Sequence, residues 1–337
     1  MPAMRAAILR SHGGPEAIEP GDWPDPEPGP GEVLIDVVTA ALNRRDVWIR
    51  RNPARVERPV VLGSDAAGVV AAVGDGVVGH AVGDDVVVLP SVNWGEREDA
   101  PGEDFEILGV PRQGTHAERV AVPAENVYPR PRRLSWEESA ALPLAGLTAW
   151  RALVTRGGVT AGTKVLVTGA GGGVATFLVQ IARELGAEVL VTTSSPEKLA
   201  RAKEIGASGG ADWRDPEWPA QIRTLSGGGV DVVVDSAGAP VYPGALTALR
   251  DGGTFVNFGD TAGEAASVDV FRLFWGQLSI HGTTMGSPRE FAALLRHVAD
   301  ASWRPIVDAV LPLEQCRDAH ARMDDAARFG KVVLALR

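Results

Sequence analysis

The sequence predicts an α/β protein in which a doubly wound parallel-sheet domain is joined to a second, β-rich unit. From Lys164 onward, continuous apolar runs alternate with helical stretches, the pattern of a parallel sheet covered on both faces. The first third lacks that alternation and carries short strand-like runs broken by proline and glycine. The length, 337 residues, exceeds the ~250 to 300 residues at which single cores stop growing, so two lobes are expected.

Strands are expected at Arg5 to Arg10, Val33 to Ala40, Ala66 to Val73 and Asp85 to Leu89, with GDWPDPEPGPGE between the first two as a stiff surface loop. Helices begin near Leu134. Then follow the strands VLVTG and EVLVTT with the helix VATFLVQIARELG between them, the helix SPEKLARAKEIGA, and the strands VDVVVDSAG and GTFVNFG flanking PGALTALRDGG. Ser287 to Arg337 holds a helix at Pro288 to Asp300 and ends in the strand KVVLAL.

A net charge of -10 repels polyanions, so a general nucleic-acid partner is not expected. The one cysteine, Cys316, excludes an internal disulfide and any multi-cysteine metal site. No run approaches the ~18 apolar residues of a membrane span, and the start lacks an apolar signal core. A cytoplasmic protein with no membrane partner is expected. The six histidines, at 12, 80, 116, 281, 297 and 320, show no metal-ligand spacing.

Chemistry enters at GAGGGVA, residues 169 to 175, between a strand and a helix. Glycines there let backbone N–H groups of Gly171, Gly172, Gly173 and Val174 approach a pyrophosphate at the positive end of the helix. Within a strand-helix-strand unit this predicts dinucleotide binding. The acid that would bind the 2′-hydroxyl of NAD is expected ~20 residues on, yet that position is Thr193. Ser194, Ser195 and Lys198 offer hydroxyls, a cation and a helix N-terminus instead, and no carboxylate at 193 repels a 2′-phosphate. NADP(H) is therefore the expected cofactor. Ser194 with Glu197 also reads as a helix capping box, which is compatible with that role. Trp213 and Arg214 are candidates to flank the adenine and the phosphate.

Taken together, NRRDVWIR (43–50), VLGSDAAGVV (61–70), AALPLAGLTAW (140–150), GAGGGVATFLVQIA (169–182), SSPEKLARAKEIGA (194–207) and FGKVVL (329–334) make the chain resemble the medium-chain dehydrogenase/reductase superfamily and, within it, the zinc-free quinone oxidoreductase branch. The resemblance implies a GroES-like β-barrel catalytic domain at 1–122 and 287–337, and a Rossmann NADP(H)-binding domain at 123–286. Zinc alcohol dehydrogenases hold their catalytic metal by a cysteine, a histidine and a second cysteine. The matching positions here are Asn43, Ser64 and Leu144, and the lobe that carries the structural zinc is VNWGEREDAPGEDFEIL, without cysteine. No metal site is expected. Asp46 and Asp65 are hard-cation candidates or structural acceptors.

The same resemblance implies site residues. Asn43 hydrogen-bonds a developing oxyanion; Arg45 stands where zinc enzymes carry a proton-relay hydroxyl; Trp48 lines the substrate cavity or packs in the core. The arginines at 44, 45, 50, 51, 55 and 58 attract an anionic substrate or form a solvated surface run. Thr148 contacts the nicotinamide or starts a helix, Asn257, Gly259 and Thr283 to Gly286 lie near the carboxamide, and Lys331 reaches the pyrophosphate or is an exposed strand-start lysine. His116 is a candidate proton donor. The run QLSIHGTTMG (277–286) matches the edge through which relatives pair, so a homodimer is expected.

The activity these expectations converge on is hydride transfer from NADPH to a quinone or an α,β-unsaturated aldehyde or ketone. Two alternatives remain at this point: an alcohol dehydrogenase with unconventional metal ligands, and a non-catalytic NADPH-binding redox sensor or structural protein.

Overall fold

The structure, a computed structural model, describes residues 3–52, 59–263 and 267–337. Its contacts divide the chain into two units: residues 1–145 with 287–337, and residues 146–286.

The first unit is GroES-like and β-rich. Its main sheet is built around the long strand Glu32–Ala41, which pairs antiparallel with Asp65–Val73 on one side. Its other side is shared: Arg119–Pro123 takes the first half and the C-terminal strand Lys331–Ala335 takes the second. The inward residues Val33, Ile35, Val37, Val70, Val86, Val120 and Val122 pack as one core. The C-terminal strand thus returns 290 residues later to sit beside Ala40 and Ala41, which is what brings Lys331 to the end of the strand that precedes Asn43.

Two sequence expectations change here. The proline-rich connection is partly a strand: Ile18–Pro24 pairs with Ala3–Leu9 along seven residues. It lies at a sheet edge, the one place where Pro20 and Pro24 leave no ladder bond unmade. The boundary expected at 123 also moves, because residues 123–145 belong to the first unit. Val127–Pro129 pairs with Asp85–Val88, the Thr39 hydroxyl donates to the Trp136 carbonyl at 2.8 Å, and the Leu144 amide donates to Asp65 at 2.8 Å. Long-range bonds of this kind cannot be read from local pattern. The division falls inside the helix Pro143–Trp150.

The second unit is a six-stranded, wholly parallel sheet of the Rossmann type. Its order is Gly209–Ala211, Glu188–Thr192, Lys164–Val167, Val230–Asp235, Leu249–Asn257, Ser279–Gly282. The chain order reverses between Lys164–Val167 and Val230–Asp235. That crevice at the carboxyl ends of the strands is where open α/β sheets bind ligands. Val165, Leu166, Val167, Val233 and Val234 are fully buried, as a sheet covered on both faces requires.

Among the described residues no helix is long and apolar enough to cross a membrane. The helix Cys316–Asp324, which sequence pattern did not reveal, packs Cys316, Ala319 and Met323 against Leu9, Leu42 and Val332. Burial pushes the Cys316 thiol up to about 11. At pH 8 native protein should therefore leave a disulfide reagent unreacted while urea-unfolded protein consumes one equivalent; rapid labelling of the native form would contradict the packing of this helix.

Candidate active site

In the first unit, Asn43 ends the central strand's extended path and caps the arginine-rich helix Arg44–Arg51. Asp46, in that helix's first turn, accepts from the Asn43 amide N–H at 2.7 Å and from the Gly63 N–H at 3.3 Å. Asp65 opens the neighbouring strand and is fully buried. Its Oδ2 accepts from Asn43 Nδ2 at 2.9 Å and from Lys331 Nζ at 3.0 Å, and its Oδ1 from the Leu144 N–H. Lys331 Nζ also donates to Asn43 Oδ1 at 2.6 Å.

These bonds fix the Asn43 carboxamide. Lys331 can only donate, so the oxygen of the amide must face it and the nitrogen must face the Asp65 carboxylate. An amide nitrogen carries two N–H groups, and Asp65 takes one. Burial holds the Asp65 carboxyl above the usual carboxylate range, opposed by Lys331, Asn43 and the Leu144 amide.

The expected roles of several residues are corrected. Lys331 is neither exposed nor directed at a pyrophosphate; it is 2% exposed and ion-paired to Asp65. The Asp46 carboxylate is used in holding Asn43 and Gly63, so it is a positioning acceptor rather than a catalytic group. Arg45 is half-buried and donates to the Val110 carbonyl at 2.7 Å and to that of Leu108 at 3.4 Å, which ties down a loop and leaves no relay hydroxyl equivalent. Trp48 is 44% exposed, which excludes core packing. The arginine run is not uniformly solvated: Arg50 is fully buried against Asp324, with Arg44 and Arg51 paired to the same carboxylate from outside. Arg55 and Arg58 lie outside the described residues.

A zinc ion does not fit the matching positions. Ser64 donates its hydroxyl to the Leu108 carbonyl at 2.7 Å, Leu144 has no donor atom, and Asn43 is held by a buried ammonium. A tetrahedral zinc needs thiolate, imidazole or carboxylate ligands. Among the described residues no group of three or more His, Cys, Asp or Glu side chains could hold a metal.

In the second unit the glycine turn has the backbone its sequence implies. Gly169 and Gly171 take φ of 70° and 101°, where a side chain would be strained. Gly172 caps the helix Gly173–Glu184 with no side chain satisfying its first N–H groups. This turn leaves the Gly173 and Val174 end of the helix positive and fits a pyrophosphate. Beside it, Asp235 ends its strand fully buried, accepting from the Thr168 hydroxyl, the Ala237 and Gly238 amides and Asn257 Nδ2. Asn257 in turn bonds Gly259 through both amide ends, at 2.9 and 3.3 Å. One carboxylate thus organises the ends of three strands. Asp235 was missed from sequence, although an acid closing an apolar strand before Ser-Ala-Gly is a turn signal. Thr148 is buried in the helix Pro143–Trp150.

Past the strand Glu188–Thr192, Thr193 is buried and its hydroxyl accepts from the Ser195 N–H at 3.2 Å. The helix cap is Ser195, not Ser194, because Pro196 occupies the first helical position and the cap must precede it. Ser195 Oγ accepts from the Lys198 N–H and donates to Glu197 at 2.6 Å. Arg214 forms a two-pronged pair with Asp212 and reaches the Ser194 carbonyl at 2.8 Å, while Trp213 is half-buried against the core. Around Ser194 and Ser195 the structure thus sets the Glu197 carboxylate on the Ser195 hydroxyl and the Arg214–Asp212 pair on the Ser194 carbonyl side.

Comparison with known proteins agrees with these two units. The family descriptions "Alcohol dehydrogenase GroES-like domain" and "Zinc-binding dehydrogenase" match residues 29–132 and 173–300. The chain is 32% identical to a zinc-type alcohol dehydrogenase-like protein of Schizosaccharomyces pombe, over 99% of both chains. It is 30% identical to the quinone oxidoreductase of Rattus norvegicus, over 99% of this chain and 98% of that one. A crystal structure described as an NAD-dependent alcohol dehydrogenase superposes with a TM-score of 0.94 at 42% identity, covering 99% and 100% of the two chains.

Lys331→Met should lower the unfolding free energy at pH 7 by about 3–5 kcal/mol, the usual cost of stranding one partner of a buried pair. The Asp65 pKa, already raised by burial, rises further without its cation. Its contribution is then favourable below the unfolded-state value and lost as pH rises through the folded one. The deficit measured by urea titration should shrink as pH is lowered; a deficit independent of pH would place the carboxylate elsewhere.

Proposed function

The chain belongs to the medium-chain dehydrogenase/reductase superfamily and is an oxidoreductase of that family, and we propose that it reduces quinones or α,β-unsaturated carbonyl compounds with NADPH and without zinc. The observation that carries this reading is the Lys331–Asn43–Asp65 cluster, in which an ammonium holds the residue matching a zinc ligand. Without a Lewis acid worth several kcal/mol at a carbonyl oxygen, the acceptor must itself delocalise the arriving charge, as a conjugated carbonyl does.

Bound at the glycine turn, the dinucleotide supplies a hydride. The chain's part is to place a donor where negative charge develops. Asn43 has one N–H beyond its bond to Asp65, and Lys331 and Asp65 prevent its amide from turning over. A preorganised donor of this kind contributes on the order of 3 kcal/mol to the transition state. The cost of orienting it has been met in folding, by burial of the ion pair.

NADPH is favoured over NADH by the lack of a carboxylate at Thr193, since a 2′-phosphate meets no direct repulsion there. Arg214 matters to this preference because it neutralises Asp212 beside the Ser194 carbonyl. The 42% identity to a protein described as an NAD-dependent alcohol dehydrogenase supports a second reading, alcohol oxidation with NAD. Pairing of two copies through the strand Ser279–Gly282 belongs to the same proposal, as that strand is the sheet's edge and exposes Ile280. Sedimentation of the protein as a monomer at micromolar concentration would remove it.

Following cofactor oxidation with quinones, enals and enones, against cofactor reduction with primary and secondary alcohols, separates the two readings. Turnover confined to the alcohols, or abolished by a chelator, would overturn the reductase proposal. Asn43→Ala should lower kcat about 100-fold with little change in cofactor affinity. Arg214→Ala should weaken NADPH binding several-fold and leave NADH unchanged, because it exposes the Asp212 charge; equal loss of both cofactors would place the phosphate elsewhere.

A further inference from the structure

Beneath Asn43 the first unit buries a second polar cluster that the proposed chemistry has not used. His116 lies between the strands Pro111–Arg112 and Arg119–Pro123, and His320 lies on the helix Cys316–Asp324. Both are fully buried, with ring centroids 6.2 Å apart and planes at 79°. Among the described residues neither His320 ring nitrogen has a hydrogen-bond partner, and the His116 ring has only the Ala41 backbone beside it. Arg50, fully buried, gives Nη2 to Asp324 at 2.7 Å and leaves Nε and Nη1 unpartnered. Asp324 is the outer end of the cluster: its side chain is 21% exposed and meets Arg51 and Arg44.

Four buried polar atoms without partners among the described residues, two on His320 and two on Arg50, are more than a marginally stable fold leaves dry in one place. A neutral imidazole has one donor and one acceptor, and Arg50 offers only donors; water, with two of each, satisfies both kinds. The cluster also adjoins the Asn43 site. The His116 ring lies against Gly63, where an added Cβ would come within 2.4 Å of Cδ2. The Gly63 N–H donates to Asp46, Asp46 holds the Asn43 N–H, and the neighbouring Thr115 hydroxyl donates to the Asp65 carbonyl at 2.8 Å.

We propose that ordered water fills this cluster and that His116 and His320 relay protons through it, between the surface at Asp324 and the Asn43–Asp65–Lys331 site. The relay rests on the reductase reading. Hydride addition leaves an anion on the acceptor; that anion takes one proton from the innermost water, which takes one from the His116 ring, His116 is resupplied through water by His320 and His320 by water at Asp324, and bulk water returns one proton at the outer end. Among the described residues the titratable and polar groups facing His116 are His320, Asp46, Asp65, Lys331 and the Ala41 carbonyl, and those facing His320 are His116 and Arg50. Burial is the largest influence on both rings and pushes both below the ordinary histidine range, which keeps each neutral with one nitrogen free to accept and one to donate. Arg50, whose guanidinium only donates, orients the water.

The test has a structural arm and a kinetic one. Crystals of the full-length protein, at a resolution that shows water, should place ordered water within hydrogen-bonding distance of the His116 and His320 rings; a dry cavity or a bound ion there would overturn the proposal. With an acceptor the parent reduces, His320→Leu and His116→Phe should each lower kcat at least tenfold. The solvent deuterium isotope effect should rise and that of 4-deuterated NADPH should fall towards unity, with cofactor affinity unchanged. His320→Gln, which keeps a donor and an acceptor but does not pass a proton as an imidazole does, should fold as the parent does even if His320→Leu does not, and should lower kcat with the same change in isotope effects; a full rate in this variant would overturn the relay. Unchanged isotope effects in folded variants would overturn the relay. If the parent reduces no acceptor, the reductase reading falls and the relay with it, and the crystal alone decides whether the cluster is hydrated.

Discussion

The first unit's site depends on one buried ion pair. Lys331 and Asp65 are each taken out of water, at a cost of several kcal/mol per ion, and the pair is retained only because further bonds satisfy what remains of each group. Asn43 bonds to both, and the Leu144 amide completes Asp65. The consequence is specificity of orientation more than stability. A carboxamide clamped between an ammonium and a carboxylate has one permitted orientation, so its spare N–H is directed before any ligand arrives. A zinc ion in related enzymes fixes its ligands by coordination; here two charges of opposite sign fix an amide by hydrogen bonding.

The second unit uses the same device with different groups. Asp235 is buried at the end of its strand with no ion pair among the described residues, yet four donors from Thr168, Ala237, Gly238 and Asn257 surround it. Those donors come from the turns and strand ends that border the crevice where the sheet order reverses. The glycine turn next to it requires positive φ at Gly169 and Gly171, and its helix offers uncapped N–H groups. A rigid carboxylate-centred scaffold beside an open, positive helix end suits a polyphosphate ligand, because the scaffold cannot swing in to satisfy those N–H groups itself.

The arginine-rich helix shows how local composition misleads. Its charges read as a solvated run, but one guanidinium, Arg50, is wholly inside, and Arg45 is spent on loop carbonyls. Both are possible because long side chains carry their charge to partners on distant parts of the chain, here Asp324 and the carbonyls of Leu108 and Val110. The cap at Ser195 differs from the expected Ser194 by one residue for a simpler reason: proline's fixed φ selects the first helical position.

What the sequence determined by itself is whatever depends on neighbours along the chain. The alternating strands and helices after Lys164, the glycine turn and the helix Pro288–Asp300 are all legible there, because periodicity and backbone freedom are local properties, while the set Asn43, Ser64 and Leu144, without thiol or imidazole, stood out only through the family resemblance. Tertiary structure alone decided which distant groups meet. Lys331 looked like a strand-start lysine, and only the return of the C-terminal strand beside Ala40 and Ala41 sets it on Asn43 and Asp65. His116 and His320 lie far apart in the chain with no common motif, and the packing of one late helix makes them neighbours. A buried charge declares itself only through its partner, and partners separated by hundreds of residues leave no pattern in either segment.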